Sequence, residues 1–138
     1  MLAEHFMLYE LTRSGVALEN NLPNIPNQRA IDALTALAQQ ILEPLRRHFG
    51  PIVIGSAYRS VQVNLLVGGV PSSQHLRGEA ADIVIGTPDR GRRLARFIRQ
   101  NLDFDQLILE PINAKNPRWL HVSYTTRRPN RHQVVGTI

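Results

Sequence analysis

Apolar side chains at Ile31, Leu34, Leu37, Ala38, Ile41, Leu42, Leu45 and Phe49 recur at steps of three and four, which predicts one helical face over residues 28–49. Asn27 is the expected cap and Gly50-Pro51 the stop. The run PIVIGSA at 51–57 is β-branched and predicts a strand, followed by a polar corner at Tyr58-Arg59-Ser60 and a short helix over 61–67. Residues 68–78 (GGVPSSQHLRG) have loop composition. Residues 79–85 (EAADIVI) resume as an interior strand, apolar on both faces except for Asp82. Thr87-Pro88-Asp89 supplies a cap, a first-turn proline and an acidic residue, opening a helix to about Gln100. Its Leu94, Phe97 and Ile98 turn inward, and Arg90, Arg92, Arg93, Arg96 and Arg99 mostly turn to solvent. QLILE at 106–110 and WLHVSY at 119–124 predict two further strands.

The ends read differently. Asn20, Asn21, Pro23, Asn24, Pro26 and Asn27 predict an irregular, turn-rich arm over 1–27 that wraps the domain. Residues 125–138 form a basic tail with Arg127, Arg128 and Arg131. No repeat or long linker divides the chain, so a single domain over 1–138 is expected. Strands and helices mix without regular alternation, which favours an α+β fold, a small mainly antiparallel sheet with flanking helices.

Composition narrows the chemistry more than the fold. The 138 residues are 43% hydrophobic and 20% charged, the balance of a globular domain. No apolar stretch approaches the roughly 18 residues of a membrane span, so no membrane insertion is expected. Met1 to Glu10 (MLAEHFMLYE) lacks the basic start of a secretory signal, so synthesis in the cytoplasm without Sec export is expected. Cysteine is absent, which removes disulfides, thiol catalysis and thiolate metal sites and leaves His, Asp and Glu as ligands. Sixteen Lys and Arg against eleven Asp and Glu give a formal charge of +5, which suits an acidic partner such as nucleic acid, anionic lipid or cell-wall polymer. The arginines lack the interleaved aromatic residues that stack on bases, so no nucleic-acid partner is expected. A monomer is expected.

A carboxylate inside an apolar strand is costly unless a charged or hydrogen-bonding group meets it, so Asp82 requires a partner, either backbone at a strand end or a polar side chain. His75 stands seven positions earlier in a Ser/Gly loop, and the two share a site only if the chain reverses between them, most cheaply at Gly78. Period-2 alternation puts Trp119, His121 and Ser123 on one face of their strand. A single strand histidine is more often structural than metal-binding. Two histidines and one carboxylate nevertheless suit catalytic zinc, because three protein ligands leave one position open. His5, His48 and His132 read as structural or solvated.

The order of residues is more specific than their types. Ser56-Ala57-Tyr58-Arg59-Ser60, Asn64, Val67-Gly68-Gly69-Val70, then Ser73-x-His75-x-x-Gly78-x-Ala80-x-Asp82 and Trp119-x-His121 resemble the zinc D-Ala-D-Ala carboxypeptidase-type peptidases, in a compact branch that includes phage-associated cell-wall enzymes. The resemblance implies the α+β fold shared with the Hedgehog signalling domain. It also implies one zinc ion per chain held by His75, Asp82 and His121, with Arg59 meeting the substrate carbonyl or carboxylate and Ser73 helping to hold the substrate. The implied activity is hydrolysis of peptide bonds in the peptide part of peptidoglycan, as a carboxypeptidase or an endolysin-like endopeptidase. The alternative is a non-catalytic, metal-binding recognition module of the same fold.

One position departs from the pattern. Many relatives carry the acid/base three residues before the last histidine, where this chain has Arg118, which cannot act as a base at ordinary pH. The closer branch resembles this chain in having a glutamate at the end of the preceding strand, so the resemblance implies Glu110 as the base, with Glu79 as an alternative expected to be exposed.

Overall fold

Pro44 lies inside the helical stretch predicted over 28–49 and reshapes it. In the computed structural model, which describes residues 1–138, helix α3 (Gln28–Leu37) passes into a π-helical turn (Ala38–Leu42) and then into α4 (Glu43–Phe49). Proline has no N–H to give to the carbonyl four residues back, and its ring crowds that carbonyl. The turn before it widens, and the Glu43 N–H bonds to Ala38 O five residues back. The stretch stays continuous, and Leu34, Leu37, Ala38, Ile41, Leu42 and Leu45 are all buried. Asn27 caps it as expected, its side chain accepting the Ala30 N–H at 2.9 Å.

Five strands form one sheet in the order β1-β2-β4-β3-β5, comprising β1 (Ile54–Ser56), β2 (Ala80–Val84), β3 (Gln106–Glu110), β4 (Trp119–Ser123) and β5 (Gln133–Val135). All pairs are antiparallel except β3 with β5. Alternation divides the sheet into two faces. Ala81, Ile83, Leu107, Leu109, Leu120 and Val122 join the core with the α3–α4 stretch and with Leu94, Ala95 and Ile98 of α6 (Pro88–Asn101). The other face carries Asp82, Gln106, Ile108, Glu110, Trp119, His121 and Ser123. One face holds the fold together while the other is free for chemistry.

The ends hold more regular structure than the sequence pattern predicts, and the expectation of an irregular N-terminal arm is corrected. The segment read as an irregular arm contains two short helices, α1 (Leu8–Thr12) and α2 (Gly15–Glu19), the second capped by Ser14 accepting the Ala17 N–H at 3.1 Å. Phe6 and Leu11 enter the core, and buried Glu43 accepts from His5 at both the backbone N–H (2.8 Å) and Nδ1 (2.7 Å). The basic tail contains β5, whose parallel pairing with β3 is a long-range contact that a three-residue segment does not advertise. No helix is long and apolar enough to cross a membrane.

Candidate metal centre

Asp82 meets its need for partners through the β2–β4 ladder, where it lies directly opposite His121. His121 Nδ1 stands 3.0 Å from Asp82 Oδ1. On the other side the register of β1 slips, so that Ile54 pairs with Ile83 yet Ser56 pairs with Asp82, leaving Gly55 as the extra residue of a bulge. The slip sets Ser56 beside the site, where its Oγ accepts from Arg59 Nε at 3.3 Å.

His75 arrives from the 3-10 turn Gln74–Arg77, which follows α5 (Val61–Leu66) and its loop. Ser73 caps that turn by accepting the His75 N–H at 3.2 Å. Gly78 then reverses the chain into β2 at φ +73°, a conformation that favours glycine, and a Cβ there would stand 2.5 Å from Ala30 O. This is the reversal that a shared site for His75 and Asp82 demanded.

His75 Nδ1 lies 2.6 Å from Ala57 O. A carbonyl can only accept, so Nδ1 carries the proton and Nε2 keeps the lone pair of the neutral ring. That Nε2 is 3.3 Å from Asp82 Oδ1, the same oxygen that His121 approaches. One donor atom from each of the three residues falls within 4.8 Å of the others. Two imidazole nitrogens and a carboxylate oxygen, with one ring fixed by a carbonyl behind it, are a donor set that fits zinc with a position left open.

Burial alone would raise the Asp82 pKa, but the hydrogen bond from His121, and the charge of both imidazoles in the protonated state in which His75 Nε2 also donates, hold it well below the usual carboxylate range. Arg59 NH2 adds a contact to Asp82 Oδ2 at 3.4 Å, while NH1 reaches Asn64 Oδ1 at 3.3 Å. Asn64 in turn donates to Val70 O at 3.0 Å, so Arg59 is fixed by the loop that carries Ser73 and His75. A second group, Glu4, His5 and Glu43, satisfies similar spacing, but Arg47 stands 3.5 Å from Glu4 and 3.7 Å from Glu43 and supplies the cation there.

A cavity of about 500 Å³ opens over the chemical face of the sheet. His121, Glu110, Ile108, Gln106, Ser73 and Gln74 contribute to its lining. Glu110 shares its face of β3 with Ile108, the residue opposite His121, and its carboxylate makes no hydrogen bond. Arg118 is exposed. Arg59 is largely buried behind Asp82 and does not line this cavity.

Glu79 corrects an expectation. It is buried rather than exposed, and both of its oxygens are engaged, Oε1 by Gln74 and Arg127 and Oε2 by Thr125 and Arg127. A carboxylate so occupied has no lone pair free for a proton in flight. Sequence reasoning also missed Asp105, which is fully buried and accepts from Gln74, Arg128 and Arg131. The available signal was an acidic residue directly preceding a strand in a chain whose tail carries three arginines.

No curated protein matches the chain. The sequence profile described as Peptidase M15, a family of metallopeptidases, matches residues 4–123, which include His75, Asp82, Glu110 and His121. With a match over most of its length, the chain belongs to the Peptidase M15 family.

Proposed function

We propose that this chain is a zinc-dependent peptidase that hydrolyses peptide bonds in the peptide part of peptidoglycan, with residues 1–138 acting as one domain. The observation that carries the reading is the convergence of His75 Nε2 and His121 Nδ1 on Asp82 Oδ1 beside a cavity that also contains Glu110. His75, Asp82 and His121 would hold the metal. When bound there, zinc supplies Lewis-acid polarisation of a carbonyl and brings the ionisation of water from a pKa of about 15.7 to near neutrality.

The chain's own residues supply the rest. Glu110, with an unengaged carboxylate in the cavity wall, takes a proton from the attacking water and returns it to the leaving amine. The amide C–N bond breaks, a carboxylic acid and an amine leave, and the base is restored. For Arg59, held by Ser56, Asn64 and Asp82 behind the cavity wall, the resemblance implies contact with the developing oxyanion or a substrate carboxylate, and its planar guanidinium would have to swing past Asp82 to make that contact. Ser73 accepts the His75 N–H and still has its hydroxyl proton to donate to the substrate backbone. We extend the reading to the cell wall as the place of action, as in the phage-associated branch that the motif resembles.

The test is digestion of purified peptidoglycan by the zinc-loaded chain, with the products identified by mass. New amine and carboxyl ends at one type of peptide bond, abolished by a chelator and restored by zinc, are expected. Zinc binding without any new ends would favour the non-catalytic recognition module.

A further inference from the structure

The cavity that Glu110 and His121 help to line is also lined by four arginines, Arg77, Arg127, Arg128 and Arg131. Arg77 ends the 3-10 turn, and the other three belong to the C-terminal segment, beyond the last residue matched to the family. Two buried carboxylates organise them. Asp105 accepts from Arg128 NH1 (2.6 Å) and NH2 (3.0 Å) and from Arg131 Nε (3.1 Å) and NH2 (2.9 Å). Glu79 holds Arg127, and Gln74 Nε2 links the two carboxylates at 3.2 and 3.1 Å. Arg77 makes no ion pair or side-chain hydrogen bond.

Four guanidinium groups against two carboxylates leave this wall with excess positive charge. The side chains of Arg127, Arg128 and Arg131 remain 45%, 37% and 47% exposed. A guanidinium has five N–H donors, so the carboxylates that fix each inner edge leave outer donors free. The orientation cost of gathering like charges is met within the fold, and an arriving anion finds the donors already aimed.

We propose that the arginine wall is an anion subsite that takes a free carboxylate of the peptide substrate, away from the cleaved bond. The proposal rests on the peptidase reading and deepens it by naming a substrate class, acidic rather than amidated peptides. A cavity of this size spans on the order of 10 Å, the reach of about three extended residues, so the recognised carboxylate lies within a few residues of the bond that is cut. Arginine suits this task because its fork matches both carboxylate oxygens.

The experiment uses two peptidoglycan stem peptides that differ only in whether their side carboxyl groups are free acids or carboxamides. Binding is measured by calorimetry to the zinc-loaded full chain carrying Glu110→Gln, and hydrolysis is measured with the wild-type chain. The free acid is expected to bind about 10-fold more tightly than the amide, with the ratio shrinking in about 0.5 M salt. Arg77→Gln, which disturbs no buried carboxylate, is expected to reduce the ratio by about 5-fold, the scale of one partly exposed charge pair. Equal binding of acid and amide, binding of neither, or a ratio unchanged by Arg77→Gln combined with Arg131→Gln overturns the subsite. The two readings separate cleanly: an acid preference in binding with no hydrolysis of either peptide keeps the subsite and removes the peptidase, whereas hydrolysis of both with equal KM does the reverse.

Discussion

Arg127 holds Glu79 through two parallel hydrogen bonds, Nε to Oε2 at 2.8 Å and NH2 to Oε1 at 2.9 Å, across 48 residues of sequence. The pair joins the start of β2 to the C-terminal segment. Glu79→Gln keeps the shape but removes one charge and turns an acceptor into a donor facing the guanidinium. Because Arg127 is partly solvated, the expected loss of stability is about 1–3 kcal/mol rather than the larger cost of stranding a fully buried charge. Urea denaturation checks the size, and zinc analysis is expected to find the metal retained.

Acid should loosen the molecule through three carboxylates. Burial by itself would raise the pKa of Glu43, Glu79 and Asp105, but the hydrogen bonds of His5 to Glu43, of Arg127, Gln74 and Thr125 to Glu79, and of Arg128 and Arg131 to Asp105 bring each below its ordinary value. A carboxylate whose pKa is depressed on folding stabilises the native state fully above its unfolded pKa of about 4 and loses that contribution as pH falls towards the folded value. Stability to urea is therefore expected to hold on this account from pH 7 to 5 and to fall steadily below about pH 4. A flat profile down to pH 3 would contradict the role given to these three groups.

Removing one metal ligand should be decisive. His75→Ala and Asp82→Ala each leave two of three donors, and zinc affinity is expected to drop by more than about 100-fold, beyond the usual effect of losing a supporting group behind a ligand. Metal analysis after gel filtration measures it. Full zinc occupancy in both variants would remove the trio from the account.

Glu110→Gln separates binding from turnover. The amide is nearly isosteric, and the carboxylate it replaces makes no hydrogen bond that packing depends on. Zinc content and thermal stability are expected to stay at wild-type levels while peptide hydrolysis falls by about 100-fold or more, the scale of general acid/base catalysis. A variant that digests peptidoglycan at the wild-type rate would move the base elsewhere.

The parts of this molecule visible in the sequence are those whose signal is local. The apolar spacing from Ile31 to Leu45 marks the long helical stretch, the alternation in Trp119–Ser123 sets His121 on the chemical face, and Gly78 marks the reversal that joins His75 to Asp82. What stayed hidden depends on partners far along the chain. Glu79 looks like an exposed strand-start residue until Arg127 is brought over it, and Asp105 looks like a loop acid until Arg128 and Arg131 close on it. The π-helical turn lay within reach, since Pro44 sits inside a helical period, but periodicity alone does not say whether a helix breaks or widens there. The helix at Gly15–Glu19 had a usable cap in Ser14, yet five residues give too little periodicity to stand out against the surrounding Asn and Pro.

The parallel pairing of β5 with β3 does more than extend the sheet. Without Gln133–Val135, the backbone of Gln106, Leu107 and Ile108 would form an open and mostly apolar edge, the kind of strand that recruits another copy of itself. A chain clipped after Arg131 would keep every residue matched to the family, all three candidate ligands and the arginines that neutralise Glu79 and Asp105. It would also expose a template for strand addition, and light scattering should find it clustering at concentrations where the full chain stays dispersed. The C-terminal segment thus acts as the molecule's own guard against aggregation, covering an edge that the catalytic face has no means to protect.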